Sequence, residues 1–253
     1  MSGIQEDKAP ESFKQWCLLR EPGIIAKLSG SNDFMISDEH QLIFIHIPKS
    51  AGFSVREFIR VNLNGIYNVD AYPNYTRDLH PMPLGLRYTH MTLNEHMNQP
   101  GTKRTSYRKL GFVRNPWDRL ASGYEWRKWF HLPRYQFSSF TEMIDRIDTG
   151  WDFEDDDERH TLKQVDFLKG PDGKIAADFV GKFESLQADF SQAMRDFGIA
   201  HDPHLPVTNQ SKVKEHSDYR DYYTPAMRDK VARVFEEDID TFKYTFWHGV
   251  IRQ

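Results

Sequence analysis

Residues 42–60 read LIFIHIPKSAGFSVREFIR, and the fold turns on how this stretch is parsed. The apolar run Leu42 to Ile47 is short, rich in Ile and Phe, and stopped by Pro48, which is the pattern of a strand buried on both faces. Apolar residues return with helical spacing at Val55, Phe58 and Ile59, predicting a helix from about Ser54 to Leu63 with Ser54 as its N-cap. Between strand and helix lies Pro48-Lys49-Ser50-Ala51-Gly52-Phe53. A phosphate placed at a helix N-terminus meets unpaired backbone N–H groups and the positive end of the helix dipole. Small residues let the backbone close on such an anion, hydroxyls donate to it, and Lys49 adds a charge. A plain tight turn is the competing reading of the hinge alone. The segment has neither the Walker order G-x-x-x-x-G-K-S/T nor the dinucleotide order G-x-G-x-x-G, so ATP, GTP and NAD lose most of their support.

The same arrangement recurs downstream. KLGFV at 109–113 predicts a second strand that runs straight into RNPWDRLASGYEWRKWF. There Asn115 reads as an N-cap, Pro116 occupies the first helical turn, and Asp118 faces the positive helix end. IAADFV at 175–180 is a weaker third strand, followed by a helix near 185–197 with Leu186, Phe190, Met194 and Phe197 on one face. A last long helix starts at Thr224-Pro225 and carries the stripe Met227, Val231, Val234, Phe235, Ile239 and Phe242. Residues 64–108 hold many Pro, Gly and Asn and read as loops with short helices. Strands alternating with helices predict a single α/β domain over 1–253, with a central, mostly parallel sheet flanked by helices and residues 1–40 as an extension on or near the core. In such sheets ligands bind outside the carboxyl ends of the strands, where Pro48–Ser54 and Arg114 would lie.

Composition narrows the class. With 18 Phe, 11 Tyr and 6 Trp in 253 residues, the chain has the aromatic content of a packed globule. No run approaches the roughly 18 consecutive apolar residues of a membrane span, and MSGIQEDKAPESFKQW lacks the regions of a signal peptide, so a cytoplasmic setting is expected. The lone Cys17 excludes an internal disulfide framework and a multi-cysteine zinc site. The net charge of -4 is unevenly spread: Lys103, Arg104, Arg108, Lys109, Arg114, Arg119, Arg127, Lys128 and Arg134 face only Asp118 and Glu125 between Gly101 and Arg134, whereas DFEDDDER at 152–159 is acidic. An anionic ligand belongs near the first segment, for which a solvated basic helix face is the alternative, and the acidic segment reads as a solvated loop. A nucleic-acid partner is not expected.

FIHIPKSAGFS resembles the 5′-phosphosulfate loop of sulfotransferases that use 3′-phosphoadenosine 5′-phosphosulfate (PAPS). LGFVRNPWDRLASGYEW is similar to that superfamily's second element, a strand ending in Arg with a Ser eight residues on, which grips the 3′-phosphate. The likeness is to the carbohydrate branch that includes the heparan 2-O and chondroitin 4-O enzymes; ADFVGKFESLQADF (177–190) and DIDTFKYTF (238–246) resemble its later elements. The resemblance implies a P-loop-like nucleotide fold and transfer of sulfate from PAPS to a hydroxyl of a carbohydrate or small metabolite, with no metal required. It implies that Lys49 neutralises the leaving phosphate, that Pro48, Ser50, Ala51, Gly52, Phe53 and Ser54 surround the 5′-phosphate, and that Arg114 and Ser122 take the 3′-phosphate. Asn209, Ser211 and Lys212 fall in a loop that closes over the nucleotide in similar enzymes.

An acceptor hydroxyl needs a general base, and histidine is matched to neutral pH. His90 in LRYTHMTLNEH lies where the resembling glycan enzymes carry such a histidine; His80, His96 and Glu95 compete. His46, inside the strand, reads as a core histidine. The spacings of His80, His90 and His96 do not suit zinc. Tyr124, Trp126, Trp129 and Phe130 read as core or as a platform for a sugar. A nucleotide-binding protein without turnover and a P-loop-type kinase are the competing classes.

Overall fold

The computed structural model describes residues 35–64, 66–67, 90–97, 104–130, 137–148, 159–199, 204–206 and 215–247. Its centre is a sheet with spatial order β3-β1-β2-β4-β5, where β1 is Met35–Ser37, β2 Leu42–Ile45, β3 Ile66–Tyr67, β4 Arg108–Val113 and β5 Phe179–Lys182. Strands β2, β4 and β5 run parallel, with Ile45 opposite Gly111 and Val113 opposite Lys182. β1 pairs antiparallel with both β2 and β3. The α/β class and the parallel core follow the expectation, while β1 and β3 were not foreseen. Three residues of the anticipated N-terminal extension, Met35–Ser37, are thus an integral strand.

Alternation along the strands explains the two layers of helices. Leu42, Phe44, Leu110 and Phe112 meet α1 (Gly52–Asn62) and α6 (Leu186–Asp196) through Val55, Phe58, Ile59, Phe190, Ala193 and Met194. Ile43, Ile45 and Val113 point the other way, onto α5 (Gln164–Leu168), the residues around α2 (Leu93–Met97), and Phe242 and Tyr244. A third cluster joins α3 (Pro116–Phe130), α4 (Phe140–Asp145) and α7 (Pro225–Val234) through Trp117, Tyr124, Phe140, Met143, Val231 and Phe235. Each fully buried large apolar side chain contributes about 1.5–3 kcal/mol, so this two-sided burial holds β2 and β4 side by side. Among the described residues no helix is long and apolar enough to cross a membrane.

Boundaries in the second half of the chain differ from the sequence reading. The third strand lies at Phe179–Lys182 instead of 175–180, with Ile175 making only an isolated bridge to Lys169. The last helix is broken: α7 ends at Val234 and α8 spans Glu236–Phe242, with Phe235 (φ -107, ψ 26) between them. The break serves Asp238, whose carboxylate lies in the core and accepts the N–H groups of Gln164 and Val165 at the start of α5. Helix α7 starts at Thr224-Pro225 as expected, and the Thr224 side chain caps it by accepting from the Met227 N–H.

Candidate active site

The chain leaves β2 through His46 and Ile47 and turns at Pro48. Lys49 and Ala51 both adopt left-handed backbone, with φ of 65 and 66. Such residues in tight turns are the setting of anion-binding backbone nests, and each costs roughly 1–3 kcal/mol outside glycine. They reverse the chain early, so α1 begins at Gly52 with Ala51 as N-cap and without a capping side chain. Ser54 is therefore not the cap; it is the third residue of the helix, buried, with its N–H returning to the Ala51 carbonyl at 3.1 Å. The helix start faces the left-handed turn, and its N-cap residue makes no side-chain capping hydrogen bond.

Gly52 is required by a neighbour. A Cβ built on it would lie 1.7 Å from His46 Nε2, because the His46 ring rests on the glycine backbone. His46 is 5% exposed and stacks 6.0 Å from Phe44, so the ring has nowhere to move. Gly52→Ala is expected to destabilise the fold by about 1–3 kcal/mol through overpacking. A thermal melt unchanged from wild type would show that the ring yields.

Arg114 stands at the end of β4, beside the loop after β2. Its Nη1 donates to the Lys49 carbonyl at 3.1 Å and its Nε to the Asp118 carboxylate at 2.8 Å, and its guanidinium stacks 4.0 Å from the Phe183 ring. The next residue starts α3 as expected: Asn115 Oδ1 accepts the Trp117 N–H, while the Asn115 N–H goes to Glu184. Asp118, Ser122 and Trp126 follow at intervals of four along α3 and share one helical face. One end of that face holds Arg114, and the other carries Trp126, whose ring centroid is 5.4 Å from Lys49 Nζ. Ser122, half-buried, lies between them.

Lys49 sits among cations. Burial, then the charges of Arg114 and Arg127, pushes its ammonium down to about 7. Arg114, Arg119 and Arg127 are 6%, 2% and 1% exposed, so these three cations are not part of a solvated helix face, whereas Arg108 and Lys128 are exposed. Buried cations that repel one another favour an anionic ligand.

A row of imidazoles adjoins the lysine. The His46 and His90 rings are 4.4 Å apart, His90 and His160 meet edge to face at 5.4 Å, and His160 stacks on Trp126 at 5.6 Å. His90 Nδ1 lies 3.0 Å from the His46 carbonyl. A carbonyl only accepts, so Nδ1 carries the proton and Nε2 keeps the lone pair. Burial, with Arg56, Arg159 and Arg119 nearby, pushes His90 down to about 3, so the ring is neutral at physiological pH. His96 is also buried and pushed down to about 4. Glu95 is pushed down to about 2, because burial is outweighed by its bonds to Arg159 and Thr92. Both of its oxygens are engaged by Arg159, which makes it a strut and a poor base. Among the described residues no group of three or more His, Cys, Asp or Glu side chains could hold a metal ion.

The loop after β2 and the end of β4 thus meet, with Lys49, Ser50, Ala51, Gly52, Ser54 and Arg114 at one junction. Phe53 is the exposed member, edge-on to His46 and beneath Arg56. His80, Asn209, Ser211, Lys212 and the acidic run 154–158 lie outside the described residues. Sequence reasoning missed the segment Arg159–Gln164. Arg159 donates to the His90 carbonyl, His160 supplies the third imidazole, and the carbonyls of His160 and Leu162 hold Arg119. Gln164 pairs with the Arg114 backbone. Only the buried-helix spacing of Val165 and Leu168 hinted at an element there.

A model of the family described as Sulfotransferase family matches residues 32–245, a span that contains every element of this site. No curated protein and no solved structure matches the chain.

Proposed function

Because the chain belongs to the sulfotransferase family, whose activity is sulfuryl transfer, we propose that it moves the group from 3′-phosphoadenosine 5′-phosphosulfate to a hydroxyl of a carbohydrate or another alcohol. The observation that carries this reading is the 3.1 Å hydrogen bond from Arg114 to the Lys49 carbonyl, which joins two strand-end loops into one cationic site. The residues suit a nucleotide with two phosphates: a helix start whose N-cap residue gives no side-chain cap, a left-handed turn at Lys49 and Ala51 leading into it, and a lysine pressed by Arg114 and Arg127. Bound there, the nucleotide would supply the sulfuryl group and the phosphate that departs.

The chain's own residues then divide the work. Backbone N–H groups of Ala51 to Phe53 hold the 5′-phosphate, helped by the Ser54 hydroxyl, while the Ser54 N–H stays on the Ala51 carbonyl and Ser50 Oγ, turned to Gln164 at 3.4 Å, braces the loop. Lys49 Nζ offsets negative charge beside the oxygen that bridges sulfur and phosphate. Arg114 presents its Nη2 edge to the 3′-phosphate, with Ser122 alongside. His90, held in the Nδ1–H form by the His46 carbonyl, takes the acceptor's proton on Nε2, and the negative charge of the nucleotide bound beside it raises the ring from about 3 in the free site toward the working pH. Pairing of sulfur with acceptor oxygen is then a matter of positioning, as in phosphoryl transfer.

Arg114→Ala is expected to weaken adenosine 3′,5′-bisphosphate binding by about 10–100-fold, the scale of a charge-assisted hydrogen bond. Unchanged affinity by calorimetry would remove Arg114 from the phosphate site. The activity itself is tested by incubating the protein with donor carrying radioactive sulfate and a panel of glycans and simple alcohols, without added metal. Label should appear on at least one hydroxyl acceptor. Nucleotide binding with no transfer to any acceptor would favour a binding protein that keeps the fold without turnover.

A further inference from the structure

We propose that Gln164 is a positioning residue that sets the spacing between the two phosphate-binding loops, so that one ligand with two phosphates is gripped at both ends together. This rests on the nucleotide reading above. Gln164 opens α5 and is wholly buried. Its Nε2 donates to the Arg114 carbonyl at 2.8 Å and its Oε1 accepts the Arg114 N–H at 2.8 Å, so the carboxamide pairs with the end of β4 as another strand would. The same Oε1 faces Ser50 Oγ at 3.4 Å, in the loop after β2. One side chain therefore touches both loops at the point where they meet.

The carboxamide is itself held in place. Asp238, fully buried, accepts the N–H groups of Gln164 and Val165 at 2.8 and 2.9 Å. Arg119 lies 4.0 Å from Asp238 and donates to the His160 and Leu162 carbonyls, which closes the support around the start of α5. The pairing with Arg114 needs a donor and an acceptor on one planar group, which glutamine provides and ionised glutamate or methionine does not. Two anchors reinforce each other only when their separation matches the ligand, since the second contact then forms without a new search.

The test is calorimetry with four ligands: adenosine 3′,5′-bisphosphate, adenosine 5′-phosphate, adenosine 3′-phosphate and adenosine. Their affinities form a cycle whose excess term measures cooperation between the two phosphates. In Gln164→Met, of similar size, that excess should fall by about tenfold while each monophosphate binds within about threefold of wild type. An excess equal to that of wild type, or a uniform weakening of all four ligands, would overturn the proposal and leave Gln164 a merely structural residue. Should Gln164→Met fail to fold, Ser50→Ala removes only the limb to the first loop. A fall of about threefold in the excess is expected there, and no fall would equally overturn the idea. If wild type binds none of the four ligands, it is the nucleotide reading that fails.

Discussion

Lys49→Ala is expected to lower turnover by about 10²–10³-fold while weakening adenosine 3′,5′-bisphosphate by less than about tenfold. The difference arises because the lysine charge matters most as the bridging bond breaks, and the desulfated nucleotide has no such bond. The alanine variant keeps the Lys49 carbonyl on which Arg114 rests, so the loop junction survives. Lys49→Arg should not restore turnover, since a planar guanidinium does not replace a point charge at one oxygen. Equal losses in turnover and affinity would contradict the leaving-group role. A pH dependence accompanies it. With Lys49 pushed down to about 7 in the free site, a bound anion favours the ammonium and raises its pKa. Below pH 7 the lysine is protonated in both states and contributes no slope of its own, while the ligand's phosphates take up protons near pH 6. Above 7 the free site loses the proton first, so bisphosphate affinity should fall by up to about tenfold per pH unit until the raised pKa is passed.

His90→Asn should cost about 10²–10⁴-fold in turnover with nucleotide affinity and melting temperature close to wild type. Asparagine places an N–H donor near the position of Nδ1, so the bond to the His46 carbonyl is retained while the basic nitrogen is lost. Near-normal turnover in this variant would transfer the base role elsewhere. His160 would be the first candidate, because it is buried, adjoins His90 edge to face, and stacks on the same indole that carries Lys49.

How much of this was legible depended on the range of the interactions. The loop after β2 and Arg114 could be read because each follows a short strand that ends in four buried residues without a polar side chain, and a parallel pairing of those strands brings their ends together. Asn115 was legible as a cap because the signal and the hydrogen bond lie two residues apart. Ser54 misled for the same local reason: it is the best capping residue nearby, yet the His46 ring on Gly52 and two left-handed residues start the helix earlier. The break at Phe235 had no local mark, since the apolar stripe runs through it; it is set by Asp238 reaching the start of α5, more than 70 residues away in sequence. Gln164 and Arg159 are polar residues in a segment of weak periodicity, and their value comes from partners 50 to 114 residues distant. Nothing in single-sequence spacing reports such contacts.

The central claim is that the ends of β2 and β4 form one site for a nucleotide bearing two phosphates. Calorimetric titration of the full chain with adenosine 3′,5′-bisphosphate tests it most directly. One equivalent should bind, with an apparent enthalpy above pH 7 that changes with the ionisation enthalpy of the buffer as Lys49 takes up a proton. No saturable heat at millimolar nucleotide in any buffer would contradict the account.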